Sequence, residues 1–279
     1  MIVFPNGKIN IGLRVVQKRK DGFHDIETIF YPVPVKDALE IVHTTRHESQ
    51  LEPSLHMYGL QVSGIAADNL CLKAWQMLKK DFPNLPVVDI KLLKMIPIGG
   101  GLGGGSADGA FMLQLLNEKF HLQLSAESLI QYSLQLGSDC PFFIFNKPCV
   151  ATGRGELFEP LSISLKGYQL VLIFPGIHLN TAWAFSQLQL SEQTGRERMP
   201  LSALITQPVA DWKLSVQNDF EAPVFTAYPE LKAFRDLLYH QGALYAAMSG
   251  SGSTVYGLFE KNSALSLNIP AAFRLINLP

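Results

Sequence analysis

The residues best suited to chemistry in this chain form a run of glycines near its middle. Six glycines occupy the seven positions from Gly99 to Gly105, and an apolar run with helical spacing follows directly. Glycine adds no side chain to a core, but its bare N–H groups can close around a phosphate. The start of the following helix adds unpaired N–H donors and a positive dipole end. The spacing predicts a phosphate-binding loop, with Ser106 at the N-cap and Asp108 in the first turn.

The kind of phosphate site is narrowed by what surrounds the glycines. No lysine follows them, so the P-loop pattern is absent. Gly99, Gly101 and Gly104 satisfy G-x-G-x-x-G, which is a weak match where glycines are so dense. A dinucleotide site also needs an acid about twenty residues further on, and residues 120–124 read Phe-His-Leu-Gln-Leu. A dinucleotide oxidoreductase is therefore disfavoured, as is a flexible linker, because a strand pattern and a capped helix flank the run.

Two other segments of small residues lie near the two ends of the chain. One reads P-N-G-K-I-N-I-G-L from Pro5, and the other reads M-S-G-S-G-S-T from Met248. The second predicts a tight turn between two strands that exposes its backbone. Each segment by itself is weak evidence for a binding site, because a Gly-Ser segment is usually only a turn.

Taken in this order, the three segments resemble the GHMP kinase superfamily. Its members carry P-x-K-x-N, then P-x-G-x-G-L-G-[GS]-[GS]-S, then a late S/T-G-S/T-G. Two more runs, R-K-D-G-F-H-D-I-E-T from Arg19 and L-G-S-D-C-P from Leu136, are similar to one branch. That branch phosphorylates the 2-hydroxyl of a methylerythritol carrying cytidine diphosphate, in the non-mevalonate isoprenoid pathway. The departures from the pattern are Gly7, Phe23, Ala107 and Gly109, where alanine, tyrosine, serine and alanine are common.

The resemblance implies roles for particular residues. Asp139 would be the base that takes the acceptor's proton, and Lys8 the cation that keeps it ionised. Cytidine would stack on Phe23 and Phe185, with His24 bonded to its edge, while Asn10 and Thr181 contact the rest of the acceptor. The nucleotide-binding residues would be Pro97, Ile98, Gly99, Gly100, Gly101, Leu102, Gly103, Gly104, Gly105, Ser106 and Ala107. Read alone, the pattern favours a turn residue for Asp139 and a solvated strand lysine for Lys8. For Phe185 it fits a helix core residue as well as a binding residue.

The co-substrate implied is ATP with Mg²⁺, the ion being held by phosphate oxygens and water rather than by a protein cage. No metal ligand is therefore expected among the side chains, and the spacing of His43, His47 and His56 suggests none. Two rivals stay open: another small-alcohol kinase of the superfamily, for homoserine or mevalonate, and a catalytically silent nucleotide-binding regulator. Phe23 with His24 counts against the first, and the presence of Lys8 and Asp139 counts against the second.

Periodicity predicts the elements that must position these residues. Strands are expected at residues 8–16, 38–43, 88–95, 168–174, 244–248, 254–259 and 273–276. Helices are expected at residues 69–82, 106–120, 125–136, 181–188, 219–227 and 229–241. Gly137 is expected to cap the third of these helices, and residues 190–200 to form a polar surface loop.

The chain of 279 residues is long enough for two domains. We expect a mixed α/β fold with a boundary near residue 155. Residues 1–155 would form a ribosomal-S5-like nucleotide-binding domain and residues 156–279 a ferredoxin-like domain, with the active site in the cleft between them. The sandwich of the second half suits its strand and helix spacing.

Composition limits the classes of partner that this protein is expected to bind. A net charge of −1 argues against nucleic-acid or acidic-membrane binding, which needs a basic face. Cys71, Cys140 and Cys149 form no C-x-x-C pair, which predicts reduced, buried thiols. No apolar run approaches the roughly twenty residues that cross a bilayer, and no signal peptide is evident. We therefore expect a cytoplasmic enzyme, a monomer or weak dimer, whose partner is a small molecule bearing cytidine diphosphate.

Overall fold

The computed structural model describes residues 1–43, 52–61, 66–188, 198–265 and 272–278. Within them, the strands are β1 Ile2–Val3, β2 Asn6–Lys18, β3 His24–Lys36, β4 Ala38–Val42, β5 Ser54–Gly59, β6 Asp89–Lys94, β7 Cys149–Thr152, β8 Leu157–Pro160, β9 Tyr168–Phe174, β10 Tyr245–Met248, β11 Val255–Glu260 and β12 Ala272–Asn277. The helices are α1 Leu70–Asp81, α2 Gly104–Lys119, α3 Ala126–Leu136, α4 Cys140–Phe145, α5 Thr181–Ser186, α6 Leu201–Leu204, α7 Trp212–Ser215, α8 Glu221–Ala227 and α9 Pro229–His240. The chain is a mixed α/β protein, as predicted.

The chain forms two compact units that are interleaved along the sequence. Unit 1 consists of Met1–Gly7, Val35–Ile98 and Gly103–Asn146. Unit 2 consists of Lys8–Pro34, Gly99–Leu102 and Lys147–Pro279. The boundary placed at residues 155 and 156 divides the chain along its sequence and stays a prediction.

Unit 1 is a four-stranded sheet with helices over one face. The strand order is β1-β4-β6-β5, and only the β5–β6 pair is parallel among the pairings of this sheet that the structure describes. Burial alternates along β6, where Ile90 and Leu92 are buried and Lys91 and Leu93 are exposed. The buried face packs against α1, α2 and α3 in one hydrophobic core. Strand β6 leads directly to the glycine run and α2 follows it, so this layer carries the run's two ends.

Unit 2 contains two four-stranded sheets, ordered β2-β3-β7-β8 and β10-β11-β9-β12. In the second sheet β9 lies between β11 and β12 and is antiparallel to both. This is the split arrangement of a ferredoxin-like sandwich. Its core joins β9, β10 and β11 to α8 and α9, and it includes Leu13 and Val15 of β2.

The predicted elements that depend on capping are confirmed. Asn69 caps α1 by accepting a hydrogen bond from the Cys71 amide at 2.9 Å, and Ser125 caps α3 by accepting one from Ser128. Gly137 ends α3 as its C-cap, as predicted, with an extended φ of 165° and its amide donating to the Ser133 carbonyl. The three cysteines are free and buried, also as predicted.

Several elements were not predicted. The short helices α4, α6 and α7, and the β7–β8 hairpin inside the glycine- and proline-bearing segment, are too short to show a clear period. Strand β3 has 13 residues, but burial alternates only toward its end. Most of the predicted surface loop at residues 190–200, and His47, lie outside the described residues. Among the helices of the described ranges, none is both long and apolar enough to cross a membrane.

Candidate active site

The glycine run begins α2 two residues earlier than predicted. Gly103 is the N-cap, with a left-handed φ of 69°, and no side chain caps the helix there. The helix therefore starts at Gly104, and Ser106 is its third residue rather than its N-cap. The reason is that glycine takes the left-handed conformation without steric cost. The consequence for chemistry is favourable, because an N-terminus that no side chain caps keeps its N–H donors for an anion.

Asp108 also lies elsewhere than expected. It is the fifth residue of α2, the first turn contains no acid, and its carboxylate is buried. Its Oδ2 accepts a hydrogen bond from Lys94 Nζ at 2.7 Å. The prediction that Asp108 faces the helix dipole in the first turn is therefore wrong, because an ion pair inside unit 1 holds this side chain.

The other residues of the run are of two kinds: some can present their backbone to a ligand, and others bury their side chains in the core. Gly99, Gly101 and Gly103 all have positive φ values, 73°, 80° and 69°, and left-handed residues in a turn form the concave nests that bind anions. Leu102 and Ala107 are fully buried, so their side chains serve the core and only their backbone can reach a ligand. Pro97 is half-buried, Gly99 and Gly105 are exposed, and Ile98 is 45 % exposed.

Within unit 2, the late Ser-Gly loop lies directly against the glycine run. Ser249 Oγ donates to the Gly101 carbonyl at 2.9 Å, and the Thr254 amide donates to the Gly100 carbonyl at 3.1 Å. A β-carbon on Gly101 would lie 1.8 Å from the Ser249 carbonyl oxygen, and one on Gly252 would lie 2.1 Å from the Gly101 nitrogen. The two segments approach so closely that these positions admit only glycine.

The amino-terminal strand joins the same assembly. The Lys8 amide donates to the Leu102 carbonyl at 3.0 Å, and the Asn10 amide donates to Ser249 Oγ at 3.2 Å. The three segments that were widely separated in the sequence are therefore hydrogen-bonded to one another in unit 2.

Lys8 is a buried cation, not a solvated strand lysine. Its side chain sits 4.9 Å from the centroid of the Phe30 ring, and its Nζ donates to Asn10 Oδ1 at 2.6 Å. Asn10 is itself buried, and its Nδ2 donates to Thr28 Oγ1 at 3.0 Å. Both the oxygen and the nitrogen of the Asn10 side-chain amide are therefore hydrogen-bonded to protein groups, and the group on the oxygen is the Lys8 ammonium.

Asp139 lies in unit 1, in the turn between α3 and α4. It is the N-cap of α4, its φ is −82°, and it makes no side-chain capping bond to that helix. The next residue, Cys140, is buried and hydrogen-bonds to Ser106, although burial raises the pKa of its thiol to about 12. Through Cys140, the turn that carries Asp139 lies beside the first turn of α2.

The aromatic residues predicted to hold a base lie in unit 2. His24 stacks on Phe185 with ring centroids 4.6 Å apart and an angle of 17° between the planes, and Phe220 meets Phe185 edge-on at 4.9 Å. Phe23 is 51 % exposed, and the Arg154 guanidinium lies 4.7 Å from its ring centroid. Burial, with a smaller contribution from the Lys18 charge, lowers the pKa of His24, so its imidazole is neutral at pH 7.

Thr181 is the first residue of α5, and its Oγ1 lies 3.1 Å from Ser251 Oγ in the late loop. The structure therefore brings Thr181 together with the loop that packs on the glycine run. Arg154 and Phe30 were missed by sequence reasoning, since nothing in their local pattern signals a site, and Thr28 was given no role although it ends the run that begins at Arg19. In the described part of the chain, no three His, Cys, Asp or Glu side chains are grouped as metal ligands.

Two family models match this chain. Residues 69–147 match the N-terminal domain of GHMP kinases and residues 202–267 match the GHMP kinase C-terminal domain. The 4-diphosphocytidyl-2-C-methyl-D-erythritol kinase of Bacteroides fragilis (strain YCH46) is 50 % identical over 98 % of this chain and 97 % of its own length.

Solved structures agree with these matches. A crystal structure of 4-(cytidine 5'-diphospho)-2C-methyl-D-erythritol kinase superposes with a TM-score of 0.78 at 30 % identity, covering 94 % of this chain and 91 % of that one. The Methanococcus jannaschii mevalonate kinase has a TM-score of 0.73 but only 12 % identity, covering 100 % and 98 % of the two chains. The second likeness is one of fold alone.

Proposed function

Because this chain belongs to the GHMP kinase family, we propose that it transfers the γ-phosphoryl group of ATP to the 2-hydroxyl of 4-diphosphocytidyl-2-C-methyl-D-erythritol. The observation that carries the proposal is the 50 % identity, over nearly the whole chain, to a kinase named for that substrate. The reaction is a step of the non-mevalonate route to isoprenoid precursors. The enzyme is an ATP-dependent phosphotransferase with an alcohol as acceptor.

Binding of the triphosphate is assigned to main-chain groups. Phosphoryl transfer depends on positioning and on charge stabilisation rather than on covalent chemistry by the protein. The left-handed glycines of the run and the start of α2, which lacks a side-chain cap, offer N–H donors for this purpose. The late loop supports the proposal, because its contacts with Gly100 and Gly101 hold the run in shape.

Asp139 and Lys8 are assigned to the acceptor hydroxyl. Asp139 accepts the proton as the oxygen attacks phosphorus, and the Lys8 ammonium favours the charged forms of the groups around that oxygen. Burial of Lys8 beside the Phe30 ring supports this role, since charges interact more strongly away from bulk water.

The cytidine of the acceptor is assigned to the aromatic group of unit 2. Phe23 presents an exposed ring for stacking, and the neutral His24 imidazole has a donor and an acceptor for the edge of a base. One face of the Phe185 ring is already stacked against the His24 imidazole. Arg154, over the Phe23 ring, adds a cation suited to the diphosphate that the acceptor carries, and Thr181 and Asn10 are assigned to the rest of the acceptor.

Mg²⁺ enters with ATP and neutralises charge on the phosphates. The ion prefers oxygen ligands and keeps several waters, so phosphate oxygens and water would hold it, and the Ser106 hydroxyl, in the first turn of α2, is an oxygen donor that fits such an ion. Three buried, free thiols fit a reducing compartment. We assign the enzyme to the cytoplasm, acting as a monomer or weak dimer on a small molecule and not on nucleic acid.

The test is ADP release from Mg-ATP with three acceptors in parallel: 4-diphosphocytidyl-2-C-methyl-D-erythritol, homoserine and mevalonate. Turnover is expected with the cytidine-bearing acceptor alone. Turnover only with homoserine or mevalonate would overturn the substrate. Binding of ADP without turnover of any acceptor would instead favour a nucleotide-binding regulator.

A further inference from the structure

Three charged side chains are buried together at the base of the glycine run, all within unit 1. Asp37, Lys94 and Asp108 are each at most 3 % exposed. Lys94 Nζ donates to Asp108 Oδ2 at 2.7 Å and also to Asp37 Oδ2. Lys94 is the last residue of β6, Asp108 lies in the second turn of α2, and Asp37 lies between β3 and β4. One lysine therefore connects the strand before the run to the helix after it.

The cluster also holds the backbone that enters the run. Asp37 Oδ1 accepts hydrogen bonds from the amides of Met95 at 2.5 Å and Ile96 at 2.8 Å, the two residues before Pro97. Gly104, the first residue of α2, lies against the same point. A β-carbon there would be 2.9 Å from Ile96 Cγ2 and 3.3 Å from Lys94 Nζ. The two ends of residues 97–103 are thus held against each other.

Burying these three charged side chains is less favourable in free energy than burying apolar side chains of the same volume. Asp108 Oδ1 is buried with no hydrogen-bond partner among the residues that the structure describes, and burial raises the pKa of the Asp108 carboxyl to about 7. The carboxylates of Asp108 and Asp37 also add to the burial that raises the pKa of the Cys71 thiol. Buried ion pairs contribute little to stability compared with apolar residues of the same volume, and the best-attested reason to keep them is that they specify one geometry.

We propose that Asp108, acting through Lys94, is a positioning residue for ATP binding: it sets the geometry of the start of α2 relative to β6 and so the shape of the phosphate-binding run. The inference rests on the proposed function, because it assumes that the run binds ATP. Asp108 touches no reacting atom, so its loss acts on nucleotide affinity and leaves the chemical step in place.

The experiment compares Asp108→Leu and Asp108→Asn with the wild type in the full chain. Affinity for ADP is measured by calorimetry, together with KM for ATP, KM for the acceptor, kcat and Tm. Asp108→Leu is expected to weaken ADP binding and raise KM for ATP by roughly tenfold, the scale of a lost charge-assisted hydrogen bond. Asp108→Asn keeps an oxygen for Lys94 and is expected to cost only about two- to threefold. In both variants kcat and KM for the acceptor stay near wild type.

Leu116→Ala is the matched control, since Leu116 is fully buried in the same helix, further from its start. It is expected to lower Tm without changing ADP affinity. The proposal is overturned if both Asp108 variants bind ADP like the wild type, or if Leu116→Ala weakens binding as much as they do. If Asp108→Leu does not fold, Asp108→Asn decides between these outcomes. Failure of the proposed function is distinguishable, because then the wild type itself binds no ADP or phosphorylates no acceptor.

Discussion

The Lys8 ammonium donates a 2.6 Å hydrogen bond to the side-chain oxygen of Asn10, two residues along the same strand. Both side chains are buried, and Asn10 is in turn held by Thr28 Oγ1. Residues two apart on a strand point to the same face, which is why these two side chains lie next to each other. Asn10 therefore orients the cation that the proposed mechanism places at the acceptor hydroxyl.

Replacing Asn10 tests that relationship. Asn10→Ala is expected to lower kcat by roughly ten- to a hundredfold, because a hydrogen bond to a charged group contributes about 1.5–3 kcal/mol. Steady-state kinetics with both substrates measures the effect. Thr28→Val, which removes the second partner but leaves the Lys8 bond, should have a much smaller effect on kcat. An increase in KM for the acceptor at unchanged kcat would show that Asn10 acts only through the contact with the acceptor assigned to it above, and not by orienting Lys8.

Asp139→Asn tests the assignment of the base. The amide cannot accept the proton at neutral pH, so kcat is expected to fall roughly 10²- to 10⁴-fold, with Tm and ADP affinity close to wild type. Asp68→Asn is the control, because Asp68 is exposed and pairs only with the exposed Lys73 among its described ion-pair partners. Turnover near the wild-type rate in Asp139→Asn would remove Asp139 from the mechanism.

Substitutions at two glycines of the run distinguish an effect on folding stability from an effect on phosphate binding. Gly101→Ala places a β-carbon against Ser249 at a left-handed position, so the free energy of unfolding should fall by at least about 1–2 kcal/mol. Gly105 lies in the first turn of α2 with nothing within 4 Å of its added β-carbon, so Gly105→Ala should keep stability or raise it by up to about 1 kcal/mol.

Both variants should nevertheless raise KM for ATP, as measured by kinetics alongside thermal unfolding. Gly101→Ala does so by deforming the run, and Gly105→Ala by filling space at the exposed helix start. An unchanged KM for ATP in a normally folded Gly105→Ala variant would contradict the placement of the triphosphate at the start of α2.

The protonation of His24 predicts a pH dependence for acceptor binding. Burial lowers the pKa of His24, so the imidazole is neutral at pH 7 and becomes charged only on acidification below its ordinary value of about 6.5. The charged ring loses its acceptor nitrogen, so KM for the acceptor should rise on acidification below that ordinary value, with KM for ATP little changed. The same shift makes the contribution of His24 to stability decline as the pH falls.

His24→Gln provides the control for this profile. Glutamine keeps a donor and an acceptor but does not titrate, so the acidic rise in KM for the acceptor should disappear while some affinity at pH 7 is retained. If the rise persists in His24→Gln, another group is responsible for it.

Local chemistry made much of the fold predictable. Asn69 and Ser125 sit before apolar helical patterns and cap α1 and α3, and the alternation of Ile90 and Leu92 with charged residues identified β6. The glycine run stood out by residue type, whereas Lys8, Asp139 and the late Ser-Gly loop gained their meaning from the resemblance to a family. The structure joins the first strand, the run and the late loop by hydrogen bonds. The assignment of individual site residues to ATP or acceptor stays a prediction.

The errors arose where packing overrode a local signal. Ser106 has the chemistry of an N-cap, but Gly103 takes the left-handed conformation and Gly104 fits against Ile96, so the helix begins before Ser106. Asp108 has the charge for a helix start, yet it pairs with Lys94.

The amino-acid sequence determined which chemistry the chain holds: backbone donors without side chains, a helix behind them, a lysine and an aspartate. The backbone donors and the helix follow from residue types within a few positions of one another, where conformational preference is local, while Lys8 and Asp139 were indicated by the resemblance of their motifs to a family. Tertiary structure alone decided which distant groups meet. Lys94 pairs with Asp37 across 57 residues, Gly101 touches Ser249 and Arg154 covers Phe23, because burial and close packing act between segments whose separation along the chain carries no signal.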